Sequence, residues 1–233
     1  MLKESMLLET YLKGLEFSKL NKNGNRSAAR TDILHQGTVD FIFEQLDLNP
    51  AHWKISHEQK VPCTRATESQ KDKTFSIDVT LSHIKSKINV RILFKSIEKS
   101  YNKNRENFAN TTIGEVQRLH GMSEVFGSSL KEERSDDITV FFTILPQHVL
   151  MGERSEITRY TKPHIEDLRN IHPHTHQVCA TLSNDAEFSN IQEFYNSFSG
   201  KVLNNEEFYG NILQIGENID ENIRLVRLRK NSI

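Results

Sequence analysis

The sequence predicts an α/β fold, a central mixed β-sheet flanked by helices. Three observations carry that expectation. The segment FSIDVTL (75–81) alternates strictly, with Phe75, Ile77, Val79 and Leu81 on one face and Ser76, Asp78 and Thr80 on the other. That is the mark of a strand. INVRILFKS (88–96) and DITVFFTIL (137–145) are rich in apolar residues, as strands covered on both faces are. Before and between these runs, apolar residues recur at helical spacing.

In chain order, Leu2, Met6, Leu7, Tyr11 and Leu15 space a first helix over 2–17. After the turn-rich NKNGNRS, a second helix reads from 28 to 46 through Ile33, Leu34, Val39, Phe41, Ile42 and Leu46, and Asn49-Pro50 closes it. Arg30-Thr31-Asp32 reads as a helix start; Glu44 could be a carboxylate supporting a metal site from behind, but a solvated helix residue is the better reading. Residues 51–74 show mixed character, and the polar run TRATESQKDK within them reads as an exposed loop. HIKSK then joins two strands, 75–81 and 88–96, into a hairpin. The loop SYNKN leads into a helix over roughly 104–120, and Pro146 ends the strand at 137–145. Beyond it the pattern predicts a strand VCATL (178–182), a helix near 187–198, and two short strands near 211–215 and 223–228. We read 1–233 as a single domain, with N-terminal helices in 1–50, the core in 75–145 and elaborations in 146–233.

The totals bound the function. The chain has 233 residues, 36% of them hydrophobic, enough for a real core. No apolar run approaches the ~20 residues that span a bilayer, and the start, MLKESMLLETYLKGLEF, lacks a signal-peptide core. The expectation is a soluble cytoplasmic protein without a membrane partner. Cys63 and Cys179 are isolated and read as inert thiols. Phosphate-loop, dinucleotide-loop and esterase motifs are absent, as is zinc-finger spacing. His172, His174 and His176 in HPHTH could approach a transition metal. Pro173 and the lack of flanking Cys or carboxylates make a polar loop the better reading, one that could also touch DNA.

Net charge is −1, yet it is unevenly spread. Lys85, Lys87, Arg91, Lys95, Lys99, Lys103 and Arg105 face a single Glu98, and Arg224, Arg227, Arg229 and Lys230 make the C-terminal segment basic. A basic surface beside acidic groups suits a protein that holds phosphates and metal ions together.

Three residues carry the chemistry. Asp78 lies on the polar face of the first strand, Lys95 at the end of the second, and Glu115 on the following helix, in a stripe with Phe108, Thr112 and Leu119. A carboxylate on a half-apolar stripe is costly unless paired or metal-bound. Two carboxylates and a lysine can hold a hard cation such as Mg²⁺ and orient water on a phosphodiester. The plain alternative is an ion pair of Glu115 with Arg118 or Arg105. Gly114, costing about 1 kcal/mol against alanine in a helix interior, suggests close approach to the sheet or to DNA. Asn102, Lys103, Asn104, Arg105 and Asn107 read equally as a capped helix start or as a helix N-terminus that meets DNA.

Asp78 followed by Lys95 on the next strand resembles the core of the PD-(D/E)xK nucleases, as found in type II restriction endonucleases. The segment FKSIEKSYNKNRENFANTTIGEVQRLHG (94–121) resembles one subset of them: a K-S pair, an S-x-x-K-N-R-x-N run, then G-E-x-x-R-L. The resemblance covers about 75–145. Ile77 stands where the family has proline, and Leu93 where it has its second carboxylate. In that subset the glutamate has moved onto the helix, which here makes it Glu115. The resemblance implies a restriction-endonuclease-like core and Mg²⁺-dependent cleavage of a short specific site in double-stranded DNA. It implies Asp78 and Glu115 as metal ligands, Lys95 as the water-positioning base, and a homodimer for a palindromic site. Arg118, in the same run, is grouped with 102–107 as a DNA contact. Two other readings stay open: a repair or structure-specific nuclease of the same superfamily, and a non-catalytic DNA-binding relative, which Leu93 would suit.

Overall fold

The computed structural model describes residues 4–20, 28–63, 74–96, 101–120, 135–147, 168–170, 172–184, 193, 196–203 and 205–231. The chain is α/β, and among the described residues a mixed sheet of six strands runs in the order β1-β2-β3-β4-β5-β6. The strands are β1 (Trp53–Pro62), β2 (Thr74–His83), β3 (Asn89–Ser96), β4 (Ile138–Pro146), β5 (Thr175–Asn184) and β6 (Phe198–Val202). The helices are α1 (Glu4–Leu20), α2 (Ala28–Gln45), α3 (Tyr101–His120) and α4 (Asn205–Asn231). β1, β2 and β3 pair antiparallel, β3–β4 and β4–β5 parallel, and β5–β6 antiparallel.

All nine residues of β4 are buried, because it is central and helices cover both of its faces. Even-numbered Val90, Ile92, Ile138, Val140, Phe142 and Ile144 join the larger core with residues of α1, α2 and α4. Odd-numbered Leu93 and Phe141 point the other way, into a smaller core with Val116 and Leu119 of α3. The period of two thus divides the molecule into two faces. α1 and α2 approach closely: a Cβ on Gly37 would collide with Thr10, and one on Gly14 would come within 2.9 Å of Leu34.

A buried clamp sets the start of the β3–β4 pairing. Asp137 Oδ2 accepts from Arg91 Nε at 3.0 Å and Nη2 at 2.7 Å, and Oδ1 accepts from Asn89 N and Nδ2, both at 3.0 Å. The ion pair is almost fully buried, with side chains 7% and 6% exposed. Arg91 is therefore withdrawn from the basic surface expected over Lys85–Arg105.

The structure corrects several expectations. β1 was not predicted: an edge strand exposes alternate and terminal residues, so WKISHEQKVP carries too few apolar positions to announce itself. β6 is missed for a similar reason. The two strands expected near 211–215 and 223–228 are one helix, α4, since Phe208, Ile212, Ile215 and Ile219 bury one helical stripe. α3 begins at Tyr101 rather than near 104. The expected loop at 64–73 lies outside the described residues, as does most of the helix expected near 187–198. No helix among the described residues is long and apolar enough to cross a membrane.

Removing one partner of a buried ion pair strands the other charge, at a cost of about 3–5 kcal/mol. Asp137→Ala is expected to destabilise the fold by that amount in urea unfolding. A loss below about 1 kcal/mol would show the clamp to be dispensable.

Candidate active site

β2 and β3 pair from Ser82↔Asn89 to Val79↔Ile92. Beyond that point the Phe94 N–H donates to Asp78 Oδ2 at 2.6 Å. The Asp78 carboxylate thus stands in for a backbone acceptor and is held against β3. On the other side of β3, parallel pairing sets Leu93 beside Phe141 and Lys95 beside Thr143. α3 packs over this face through Val116 and Leu119. Glu115 precedes Val116, so it sits at the margin of the buried stripe, partly exposed.

Asp78, Lys95 and Glu115 meet as a result. They line one cavity of about 180 Å³ together with Leu93, Thr112 and Thr143. Lys95 is exposed, while Asp78 and Glu115 are half-buried. Burial raises the Asp78 carboxyl from 3.8 to about 6; the Phe94 N–H and Lys95 oppose the shift and Glu58 adds to it. Burial raises Glu115 from 4.5 to about 7, opposed by Lys95, reinforced by Asp78 and opposed again by Arg118. One lysine does not offset the desolvation of two neighbouring acids. In the same wall, the Thr143 hydroxyl is buried without a hydrogen-bond partner among the described residues. Two carboxylates short of positive charge and an unused hydroxyl suit a hard divalent cation with its bound water. Asp78 and Glu115 are the residues that could hold it.

Glu58 was missed by sequence reading. It adopts φ 48°, in the left-handed region, in mid-strand. It falls between the pairs His57↔Val79 and Gln59↔Ile77, opposite Asp78. Its Oε2 accepts from Ser76 Oγ at 3.1 Å. At this point the hairpin changes face: Val79 and Leu81 belong to the larger core, whereas Phe75 and Ile77 belong to the smaller one, though all four are odd-numbered. A glutamate in a polar edge strand gives no sequence signal of such a bend.

The other expected residues divide. The backbones of Asn102, Lys103, Asn104, Arg105 and Asn107 form the first turns of α3; their side chains lie outside the described residues. Arg118 is half-buried, its guanidinium 5.1 Å from the Phe75 ring centroid and Nη2 3.9 Å from Cys63 Sγ, so it covers the smaller core. Glu44 is exposed on α2 and does not line the cavity. An added Cβ at Gly114 meets nothing within 4 Å, so that glycine is not required for approach to the sheet.

HPHTH is not an exposed polar loop. His172 and His176 are 2% and 4% exposed. His172 stacks on His120 with centroids 3.6 Å apart, and His120 Nε2 meets Thr139 Oγ1 at 2.7 Å. His174 Nδ1 meets Asn218 Oδ1 of α4 at 2.8 Å, and burial lowers His176 to about 4. These rings are packing elements between sheet and helices. No group of three or more His, Cys, Asp or Glu side chains among the described residues could hold a metal ion by itself. A cation at Asp78 and Glu115 would complete its shell with water and other oxygens. No known protein family, curated protein or solved structure matches the chain.

Raised carboxyl values mean the folded chain holds these protons more tightly than the unfolded chain. The resulting destabilisation is absent below the unfolded values of 3.8 and 4.5. It grows as pH rises and is complete above about 7. Glu115→Gln removes its share, so stability near pH 8 is expected to rise by on the order of 1–3 kcal/mol, with little change near pH 4. Urea unfolding at both pH values reads this. A variant less stable than the parent near pH 8 would contradict the buried placement of Glu115.

Proposed function

We propose that the chain is a Mg²⁺-dependent endonuclease acting on double-stranded DNA, with a PD-(D/E)xK-type core and the role of a type II restriction enzyme. The single observation that carries this reading is the convergence of Asp78, Lys95 and Glu115 on one cavity, from β2, β3 and α3. The N-K-N-R…G-E-x-x-R-L run supports it. Leu93 supports the relocation of the second acid. It is 7% exposed and packed in the smaller core, and it lines the same cavity as Glu115. An apolar side chain thus fills the strand position while the carboxylate comes from the helix above.

Each residue then has a task. Asp78, fixed by the Phe94 N–H, presents its carboxylate at a constant position. Glu115 closes the cavity from α3. Lys95 keeps its ammonium at the cavity mouth, where it orients the attacking water and balances charge on the scissile phosphate. Thr143, beside Lys95 on β4, holds a water or phosphate oxygen through its unused hydroxyl. Bound Mg²⁺ would supply Lewis-acid polarisation of the phosphoryl oxygen and a more acidic water. Recognition of a palindromic site calls for a two-fold dimer, and the basic first turns of α3 are the proposed DNA contact.

Incubation of purified protein with plasmid DNA and Mg²⁺ is expected to give discrete fragments, and chelation to stop it. Asp78→Ala, Lys95→Ala and Glu115→Ala are each expected to slow cleavage by at least about 100-fold. Cutting confined to branched or damaged DNA would point to a repair nuclease. Binding without cutting under all divalent ions would leave a DNA-binding relative.

Thr143→Val separates site from scaffold. It removes a buried hydroxyl with no hydrogen-bond partner among the described residues, so thermal stability is expected to hold or rise. Cleavage is expected to fall about 10-fold, and Thr143→Ser to restore it. Unchanged cleavage in the valine variant would remove Thr143 from the site.

A further inference from the structure

A second cavity lies on the other face of the sheet. It has a volume of about 330 Å³ and is bounded by the α2–β1 connection, the end of β2 and α4. Its lining includes His52, His83, Arg224 and Arg227, with Asp47 and Asp220 also present. Asp78 and His83 are five residues apart on β2, roughly 17 Å at the rise of a strand. The candidate active site opens beside α3, whereas this cavity opens beside α4. The two are separate, and the basic C-terminal segment is not used by the nuclease reading.

Two observations specify what the cavity can bind. First, among the described residues no carboxylate lies within ion-pair distance of Arg224 or Arg227; the basic side chain next to them, Arg229, is taken by Asp136 at 2.6 Å. Asp47 and Asp220 share the lining without neutralising either guanidinium. Second, the His83 ring is fixed. Ser86 N–H donates to His83 Nδ1 at 3.2 Å, which makes Nδ1 the acceptor and leaves Nε2 as the ring's N–H donor. Electrostatics agree with the first. His83 is lowered first by burial, then by its neighbours His52, Arg227 and Lys85. At this ring, cationic neighbours are close, while among the described residues no carboxylate pairs with Arg224 or Arg227.

We propose that this cavity binds a phosphate group, with Arg224 and Arg227 as the guanidinium clamp and His83 Nε2–H as a third donor. Arginine forks match the geometry of phosphate oxygens, and among the described residues neither guanidinium has an ion-pair partner to give up. The volume lies at the small end of ligand cavities, about 300–1,000 Å³. It admits one phosphate with an attached sugar, or one backbone phosphate of a strand lying across its mouth. The phosphate therefore comes from a free mononucleotide or from nucleic acid bound away from the cleavage cavity.

The test uses the full chain in chelator, so nothing is cleaved and the outcome is independent of nuclease activity. Inorganic phosphate, adenosine monophosphate and a short DNA duplex are titrated separately, with chloride at matched ionic strength as control. Binding is read by thermal unfolding and by the ring resonances of His83. Phosphate is expected to raise the unfolding temperature beyond the chloride control and to shift the His83 signal. Arg224→Gln with Arg227→Gln is expected to weaken binding at least about 10-fold, while Glu115→Gln leaves it intact. Tighter protection by the mononucleotide identifies a free-nucleotide site, and tighter protection by the duplex a nucleic-acid site. Should the double variant not fold, the His83 titration of the parent decides alone. A chloride-equivalent response, or an unmoved His83 resonance at saturating phosphate, overturns the proposal.

Discussion

Asp137 accepts four hydrogen bonds from β3, two from Asn89 and two from Arg91. Its neighbour Asp136 takes Arg229 of α4 through its carboxylate and Asn222 of α4 through its carbonyl. The turn entering β4 thereby ties together the central strand, its parallel partner and the longest helix. Parallel strands have no hairpin to set their register, so something else must. Once Arg91 lies opposite Thr139, the period of two carries Leu93 to Phe141 and Lys95 to Thr143. A slip of one residue would exchange the faces and bury the Lys95 ammonium in the larger core. The floor of the candidate site is thus decided about four residues away from it, by a buried charge pair.

The site itself is built against electrostatic preference. Two carboxylates are drawn out of water beside a single exposed lysine, and both hold protons well above the ordinary range. Such an arrangement costs stability and is retained where binding restores the balance. The Glu58 bend belongs to the same economy of shape. A left-handed residue lies opposite Asp78 where β2 passes from one core to the other.

The two faces of the sheet have different characters. α1, α2 and α4 cover one with a broad apolar layer that leaves room at its rim for a cluster of arginine and histidine. α3 covers the other with a narrow layer, and its partial cover leaves the acidic cavity. Stacked imidazoles at His120 and His172 fill the far end of the α3 face, where aliphatic side chains would otherwise be expected.

What the sequence determined by itself was local. Strict alternation marked β2, apolar runs marked β3 and β4, and helical spacing marked α1, α2 and α3, because period and composition reside in neighbouring residues. Asp78, Lys95 and Glu115 were legible as candidates from their local places, on a strand's polar face, at a strand end and on a half-apolar helical stripe, and from the motif resemblance they carry. Tertiary structure alone decided the rest. The polar edge strands β1 and β6 exist because β2 and β5 offer them unpaired backbone, not because of their own side chains. The short apolar pieces of α4 became one helix because the larger core needed a continuous stripe. Arg91 left the basic surface, and HPHTH left the solvent, because Asp137 and His120 wait for them from distant parts of the chain. Glu58, Thr143 and the Arg224–Arg227 cavity depend on register, backbone turn and helix placement. Those are set by contacts between residues far apart in sequence, and no local pattern records them.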